Sequence, residues 1–372
     1  LFIAGLAVVV QPSQIYDDNI HGGGIGTTGN GIGPAYAARA LRRQGDRLCD
    51  LRVADLVEDP QFAREVMQEN FRYVQSLYGA EPNPKIPSIN SIIEAAAELS
   101  EHIVLDPTWL ATKAKNGSRI LFEGGQGTRL DNILGTRPYS TGSNTIAAAA
   151  YVGSGLPITY PIKVIGVTKA LETRVGNGPF PSEFGGRRSE LYCDEKDENG
   201  KPKHTKEFET QNYQPSTLLQ SDNPFLLGVG LRMVGNEYGT NTKRPRRLGA
   251  LDLSYLEETV TLNGMSEVYI RKFDQLKVFA GSSLPGIPLV VGHKINGKMV
   301  DCVPTSEKRL REVEPIIEYA EPFSEDLAEM RNHDELPRQV KDLIRRISSA
   351  IDCPVTKIGV GPRSEQTIPI PH

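Results

Sequence analysis

The sequence predicts an α/β fold in which a mainly parallel central sheet is flanked by helices. Short apolar segments that are typical of buried strands alternate along the chain with segments of helical period. Most of the apolar segments run into polar or Gly-rich turns, as parallel strands joined by helices do. Ligands of such sheets bind beyond the carboxyl ends of the strands, so a binding site is expected at these turns.

Five apolar segments are predicted to be strands, and the opening run 1–10 is interpreted as another. The opening run is too short to span a bilayer and lacks the basic start of a signal peptide, so no membrane association is expected. The five segments are 120–122, 163–167, 268–270, 289–291 and 355–360.

Three helices are predicted from capping signals and from apolar residues at helical spacing. Ser91 and Glu94 form a capping box before 95–99, and 62–77 has a weaker amphipathic period. Pro337 precedes a segment with a single apolar face, formed by Val340, Leu343, Ile344, Ile347 and Ile351.

Composition argues against several classes of function. The chain has 372 residues and a net charge of −4, whereas nucleic-acid-binding domains are usually basic. Its 4 cysteines and 6 histidines are scattered without metal-ligand spacing, which indicates reduced thiols in a cytoplasmic protein and no metal site of their own. We expect one α/β domain over 1–372, with a mobile, charged surface insertion at 185–215.

A Gly-rich segment, 26–36, offers the first candidate site. Gly24, Gly26 and Gly29 match a dinucleotide-binding pattern, but the segment does not directly follow a strand, so this interpretation is rejected. The loop is better interpreted as one that offers backbone N–H groups and the hydroxyls of Thr27 and Thr28 to an anion. A turn without a ligand remains the alternative.

A second candidate segment, 122–128 with its continuation 138–145, combines glycine with polar side chains. Gln126 lies among glycines in 122–128, where the backbone can approach a planar ligand and the amide can both donate and accept hydrogen bonds. The segment 138–145 follows with several hydroxyl side chains. For Gln126 on its own, a surface side chain without a ligand is the alternative.

Charged residues mark two more segments. The loop 238–247 carries clustered cations on a Gly/Thr framework, and its arginines suit bidentate capture of a carboxylate or phosphate. Lys272 and Asp274 lie at the end of a predicted strand. An aspartate there can accept from the N1–H and exocyclic amine of guanine, while the lysine stem stacks on the base.

These four segments, in this order, resemble the adenylosuccinate synthetase family, and the resemblance runs from about Gly24 to Ile368. The segments 169–181, 359–362 and 366–368 match it as well. The resemblance implies a P-loop-NTPase-like fold and a ligase that uses GTP to join L-aspartate to IMP, giving adenylosuccinate, GDP and phosphate in purine biosynthesis. It also implies Mg²⁺ as a cofactor and a cytoplasmic homodimer.

The family's ligand contacts carry over to this chain by motif. The residues implied to bind IMP are Thr28, Arg42, Gln126, Thr141, Val175 and Arg244. Among them, Arg42 is implied to reach the site of the neighbouring subunit, and Gln126 to contact the base near O6, where charge develops in the reaction. The residues implied to bind aspartate are Thr242, Arg244 and Arg246. The residues implied to bind GTP are Arg246, Lys272, Asp274 and Gly361.

Three positions depart from the family's pattern. Asn241 stands where the family usually has Thr, Lys243 where it has Gly, and Gly359 where it often has Ser. The loop that closes on aspartate is therefore expected to be less flexible or differently charged.

The largest departure concerns the family's opening segment. That segment holds a Gly-Asp-Glu-Gly-Lys-Gly loop, whose Asp is the base and a magnesium ligand, and a Gly-His-Thr, whose His is the acid. Neither motif is found in this sequence. Either the protein has the segment and the sequence omits it, or the protein has lost it and is inactive. The chain on its own is expected to show no turnover, and the Mg²⁺ ligands are expected in that segment.

Two alternatives to the IMP ligase stay open. One is a related synthetase that acts on dGMP, which would need extra room near Gln126 for the 2-amino group. The other is a non-catalytic, nucleotide-binding relative.

Overall fold

The structure, a computed structural model, describes residues 1–24, 26–79, 83–240 and 243–371. The chain divides into two compact units, 1–161 and 162–372. The α/β class is confirmed, while the assignment of the whole chain to one domain stays a prediction. In the described part of the chain, no helix is long and apolar enough to cross a membrane.

The first unit is mainly helical. Its helices are α1 (Pro12–His21), α2 (Ile32–Leu41), α3 (Val53–Glu58), α4 (Pro60–Tyr78), α5 (Ile89–Glu98), α6 (Trp109–Lys115) and α7 (Ala149–Ser154). Its strands are β1 (Ile3–Ala4), β2 (Arg43–Gln44), β3 (Arg47–Leu48) and β4 (Ile103–Val104). β1 pairs with β4 in parallel, and β2 pairs with β3 in antiparallel fashion. Short 3-10 turns occur at Gly22–Gly24, Ser100–His102 and Thr128–Leu130.

Local signals define α4, the longest helix of the first unit. The Asp59 carboxylate accepts the Phe62 N–H, Pro60 supplies the first turn, and Gly79 ends the helix in the left-handed conformation. Its apolar face packs with α3 and α5 around a small core that includes Leu51, Ala63 and Met67. The helix predicted at 62–77 is thus confirmed.

Three other predictions for the first unit need correction. The apolar triplet 120–122 forms no strand, and Leu121 is 90% exposed, because no neighbouring strand pairs with it. The run 1–10 is extended only at Ile3–Ala4. α5 begins at Ile89 rather than after Ser91, because the hydroxyl of Ser88 caps it by accepting the Ser91 N–H.

The second unit combines two four-stranded sheets and a two-stranded ladder, formed by Glu172–Arg174 and Arg247–Gly249, with helices. Its helices are α8 (Gly186–Asp194), α9 (Lys206–Asn212), α10 (Pro215–Leu219), α11 (Pro224–Gly235), α12 (Leu253–Asn263), α13 (Glu307–Leu310) and α14 (Arg338–Ala350). Its strands are β5 (Ile165–Lys169), β6 (Glu172–Arg174), β7 (Arg247–Gly249), β8 (Leu251–Asp252), β9 (Glu267–Arg271), β10 (Ile287–Ile295), β11 (Lys298–Met299), β12 (Val313–Ala320), β13 (Val355–Gly359) and β14 (Thr367–Pro369). Two 3-10 segments, Phe273–Gly281 and His333–Glu335, complete it.

The sheet predicted as mainly parallel is mixed. One sheet has the order β14-β13-β9-β5, in which β13, β9 and β5 are parallel and β14 is antiparallel. The other is built on the long antiparallel pair β10–β12, with β8 added in parallel. The strands predicted near 163–167, 268–270, 289–291 and 355–360 are confirmed as β5, β9, part of β10 and β13.

The core of the second unit lies between the sheets and the helices that cover them. α14 contributes the predicted apolar face, with Val340, Leu343, Ile344 and Ile347 all buried. They pack with β9 and β13 residues such as Ile270 and Ile358. Burial of each such side chain contributes about 1.5–3 kcal/mol, so this core fixes the strand ends that follow.

The segment 185–215, predicted to be a mobile surface insertion, is partly buried. It forms α8 and α9, and the side chains of Glu190, Cys193 and Glu209 are buried. Its continuous exposed stretch is limited to 195–201. The charge run that prompted the prediction is exposed over 195–201, whereas Glu209 is buried and accepts from Arg232 Nη2 at 2.6 Å. The mobile, charged insertion therefore stays a prediction.

Candidate functional site

The parallel strands β5, β9 and β13 end at one edge of their sheet. Lys169 is the last residue of β5 and pairs in register with Arg271 of β9. Lys272 therefore leaves the sheet next to Lys169, and the chain after β13 leads to Gly361 at the same edge. This is the location at which a parallel sheet presents its ligands.

Glu237 connects the cations at this edge. Its carboxylate is only 2% exposed and accepts from Lys169 Nζ at 3.0 Å, from Arg246 Nη1 at 2.8 Å and from Lys272 Nζ. Burial acts to raise the pKa of Glu237, but the lysine hydrogen bonds and charges outweigh it, so the pKa is lowered. Burial lowers the pKa of Lys169, and the charge of Glu237 partly opposes that effect. The cluster thus holds three cations around one ionised carboxylate.

Asp274 is the second residue of the 3-10 segment Phe273–Gly281, which follows β9. Lys272 turns the chain in the left-handed conformation, with a φ of 59°. Asp274 Oδ1 is buried and accepts no hydrogen bond from another described residue. Burial raises the pKa of this carboxyl, while the nearby lysines Lys272 and Lys277 act in the opposite direction. A buried acceptor left without a partner is costly unless a ligand supplies the donor.

Gly361 lies directly under the side chain of Gln366. A Cβ at Gly361 would collide with the Gln366 amide group. That amide is itself fixed, because its Nε2 donates to the Ala328 carbonyl at 3.1 Å and its Oε1 accepts the Arg363 N–H at 3.2 Å. The absence of a side chain at 361 is therefore required by packing within the protein, whatever ligand approaches it.

The two arginines predicted to bind ligand in the loop 238–247, Arg244 and Arg246, pair with different carboxylates. Arg246 pairs with Glu237, and its buried Nε has no hydrogen-bond partner among the described residues. Arg244 Nη2 donates to Asp194 Oδ1 at 2.6 Å. The β6–β7 ladder ends at the pair Arg174–Arg247, so Val175, which is 46% exposed, leaves it beside Arg246.

Two of the positions that depart from the family's pattern, Asn241 and Lys243, fall in this loop. Asn241 and Thr242 lie outside the described residues, so the prediction for Thr242 cannot be placed. Lys243 has a φ of 56°, in the left-handed region that favours glycine. The glycine of the family's pattern suits this conformation, and the lysine holds it at some cost in strain.

In the first unit, the Gly-rich loop precedes the start of α2. Gly29 and Gly31 have positive φ angles, which let the chain turn before Ile32. Asp18 Oδ2 fixes the turn by accepting the Gly31 N–H at 2.9 Å. Thr28 is exposed, and its hydroxyl accepts from Asn30 Nδ2 at 3.0 Å. A hydroxyl is thus presented near a helix N-terminus, as an anion site requires.

Thr141 lies on a turn that packs against the same helix. A Cβ at the adjacent Gly142 would lie 3.2 Å from Gly33 Cα, in the first turn of α2. Asp131 fixes this turn, because its buried carboxylate accepts the N–H groups of Ile133 at 2.8 Å and Thr145 at 2.6 Å. The loops that carry Thr28 and Thr141 therefore meet at the start of α2.

Gln126 and Arg42 are exposed on the first unit. Gln126 adopts a positive φ of 61°, an uncommon conformation for glutamine that points to a functional loop. Arg42 ends α2, also with a positive φ, and its guanidinium forms no hydrogen bond or ion pair with the described residues.

Several residues that organise the site were not predicted as site residues. Glu237 and Lys169 join three ligand-facing segments, and Asp18 and Asp131 fix the two loops of the first unit. No local pattern marked Glu237, because its partners Lys169 and Lys272 are distant in sequence. Within the described ranges, no group of three or more His, Cys, Asp or Glu side chains could hold a metal ion.

The chain is similar to known proteins over nearly its whole length. The sequence profile of the family described as Adenylosuccinate synthetase matches residues 1–368. Adenylosuccinate synthetase 2 of Cupriavidus pinatubonensis is 35% identical over 367 residues, which are 98% of this chain and 75% of that protein. The adenylosuccinate synthetase of Caldanaerobacter subterraneus subsp. tengcongensis is 33% identical over 373 residues, 99% of this chain and 76% of the relative.

A solved structure has a fold similar to that of this chain. Fully ligated adenylosuccinate synthetase from Plasmodium falciparum matches 100% of this chain and 78% of its own, with a TM-score of 0.79 at 27% identity. The resemblance read from the four segments is thereby confirmed. With the family profile matched over 1–368 and relatives above 30% identity over nearly all of its length, the chain belongs to the adenylosuccinate synthetase family.

Proposed function

We propose that the strand ends and loops described above bind the three substrates of the family's reaction. Adenylosuccinate synthetases are ligases that join L-aspartate to IMP with the consumption of GTP, in purine nucleotide biosynthesis, and membership of the family assigns this reaction to the chain. The roles of individual residues below are our proposals.

Lys272 and Asp274 read the guanine of GTP. The observation that carries this assignment is the buried Asp274 Oδ1, which lacks a hydrogen-bond partner on any other described residue and lies at the carboxyl end of β9. An ionised carboxylate can accept both the N1–H and the exocyclic amine of guanine, and adenine offers no such pair of donors. The Lys272 stem covers the base from the strand end, and Gly361 lies at the end of the adjacent strand β13.

The loop 238–247 binds aspartate. Arg244 and Arg246 present guanidinium groups, which match carboxylates in a bidentate geometry. The buried, unpartnered Nε of Arg246 supports a ligand at this position, since a buried donor without a partner is unfavourable. Thr242 is assigned to the same substrate on the family's motif alone. Arg246 also reaches the GTP side of the site through Glu237, which it shares with Lys272.

The residues proposed for IMP begin with those that bind its phosphate. Thr28 and Thr141 hold its phosphate at the start of α2, where the helix N-terminus favours an anion. Gln126 contacts the hypoxanthine near O6, so that its amide stabilises charge as that oxygen is phosphorylated. Val175 and Arg244 lie beside the ribose.

Membership of the family also bears on assembly, metal use and location. Arg42, an exposed residue whose guanidinium forms no hydrogen bond or ion pair with the described residues, reaches the IMP of a second copy in a homodimer. Family members use Mg²⁺, but the described residues offer no cluster that fits the ion, so we assign it no ligand and derive no step through it. A cytoplasmic location stays a prediction.

A steady-state assay of adenylosuccinate formation tests the proposal. IMP, GTP and aspartate should all be required, and ATP should replace GTP poorly. Turnover with dGMP in place of IMP would favour the related synthetase instead. Nucleotide binding without turnover by the intact gene product would favour a non-catalytic relative.

A further inference from the structure

We propose that Asp194, at the end of α8, is a positioning residue for the aspartate-binding arginine Arg244. The inference rests on the proposed role of Arg244 and extends it to the segment 185–215, for which the sequence suggested only a solvated surface. The structure places this carboxylate between two segments that carry predicted substrate contacts.

Asp194 bonds to both segments with different oxygens. Its Oδ1 accepts from Arg244 Nη2 at 2.6 Å, and its Oδ2 accepts from Asn177 Nδ2 at 3.1 Å. Asn177 belongs to the turn that follows Val175, the residue predicted beside the ribose. The Asp194 side chain thus links the loop 238–247 to the turn that follows Val175.

α8 is firmly attached to that turn by a second carboxylate. Glu190 accepts the Gly178 N–H at 2.7 Å and pairs with Arg187 and Arg311, and its side chain is only 4% exposed. Ser189 and Cys193 are buried on the same helix. The position of Asp194 is therefore fixed by the body of the second unit, and it can fix Arg244 in turn.

The next helix supports the same loop at its base. The buried carboxylate of Glu209, on α9, accepts from Arg232 Nη2 at 2.6 Å and from the Tyr238 hydroxyl at 2.5 Å. Arg232 Nη1 donates onward to the Arg246 carbonyl at 3.1 Å. Both helices of the segment 185–215 therefore hold the loop 238–247 by charged hydrogen bonds, which are stronger than neutral ones.

Preorganisation is the physical benefit. Arg244 has a flexible side chain, and in this structure that side chain is 14% exposed. A guanidinium already oriented by Asp194 loses less conformational entropy when the substrate carboxylate arrives. Without Asp194, the side chain must be ordered by the substrate itself, which raises the aspartate KM.

The experiment compares Asp194→Ala, Arg244→Ala and the double variant, each made in the intact gene product, in a steady-state ligase assay. Asp194→Ala should raise the aspartate KM roughly tenfold, the loss expected for one charged hydrogen bond of ~1.5 kcal/mol. The GTP KM should stay within about twofold, since Asp194 makes no contact with Lys272 or Asp274. Because Asp194 acts through Arg244, the double variant should have the same aspartate KM as Arg244→Ala alone.

Controls separate positioning from folding. Asp194→Asn keeps an oxygen acceptor for Arg244 and should fall between the wild type and Asp194→Ala. Glu198→Ala removes an exposed carboxylate from the turn after α8 and should leave both KM values unchanged. Thermal unfolding of each variant identifies any loss that comes from the fold.

Three results would overturn the inference. An unchanged aspartate KM in Asp194→Ala would show that the pair has no function. A lower KM would show that Asp194 competes with the substrate, and additive effects in the double variant would show that it acts independently of Arg244. An Arg244→Ala variant with an unchanged aspartate KM would contradict the proposed function itself.

Discussion

Lys169 Nζ lies 3.0 Å from each of the two carboxylate oxygens of Glu237, a residue that is only 2% exposed. The same carboxylate pairs with Lys272 and Arg246. One anion therefore sets the positions of cations from β5, β9 and the loop 238–247. Removing its charge should disturb all three segments at once.

Glu237→Gln should weaken GTP binding by roughly tenfold or more and lower the free energy of unfolding by about 1–3 kcal/mol. The amide cannot neutralise the three cations, which then repel one another and move apart. The range is modest because these cations remain about a third exposed and are screened by solvent. Calorimetric titration and urea unfolding measure the two effects.

Glu257→Gln is the matched control for this change. Glu257 is exposed on α12, so the same substitution should leave GTP affinity and stability unaltered. If Glu237→Gln binds GTP as tightly as the wild type, Glu237 does not organise the GTP site.

Thr28→Ala should weaken IMP binding by about tenfold, through loss of a hydroxyl that donates to the phosphate. Thr28→Ser keeps the hydroxyl and should restore most of the affinity. Calorimetric titration with IMP and with inosine separates the contributions, because inosine has no phosphate. An equal loss of affinity for inosine would place Thr28 away from the phosphate.

Glu190 makes stability depend on pH in a defined direction. Burial acts to raise its pKa, but hydrogen bonds from Arg311, Arg187 and the Gly178 N–H outweigh this and hold the pKa at about 2, below the ordinary 4.5. Because the pKa of Glu190 is lower in the folded state, its ionised carboxylate stabilises the fold at pH values above the ordinary pKa. This contribution is lost as the pH falls toward the pKa of the folded state.

Glu190→Gln lacks that contribution at every pH. The wild type should therefore melt at a higher temperature than the variant at about pH 7, and the difference should narrow toward about pH 3. Thermal unfolding over this range, with Glu198→Gln as an exposed control, provides the measurement. A difference that widens as the pH falls would mean that the Glu190 ion pairs are not the source of the effect.

The position of Lys272 and Asp274 at a strand end could be predicted because the local pattern marks where the strand stops. A buried strand such as β9 has an apolar core, and the polar residues that end it, Lys272 and Asp274, must face the sheet edge. The same reasoning failed at 120–122, because an apolar triplet forms a strand only when another strand pairs with it. The mixed character of the sheets also depends on pairing between distant segments, which single stretches do not reveal.

The charged residues that support the site were harder to foresee. Glu237 pairs with residues that lie 68 and 35 positions away, Lys169 and Lys272, so no local spacing marks it. Glu209 and Arg232 are both buried, although a run of charges ordinarily indicates solvent. Because their charges are paired in the interior, the packed helices α8 and α9 could not be recognised from the polar composition of 185–215.

The central claim is that the edge of the β5–β9–β13 sheet reads guanine through Asp274. Calorimetric titration of the wild type and Asp274→Asn with GTP and ATP tests it most directly. The wild type should prefer GTP, and Asp274→Asn should lose roughly tenfold to a hundredfold of that preference, because an amide oxygen without charge replaces the acceptor of two guanine N–H groups. Asp301→Asn, on an exposed residue, should change nothing. An Asp274→Asn variant that retains the full preference for GTP would contradict the account.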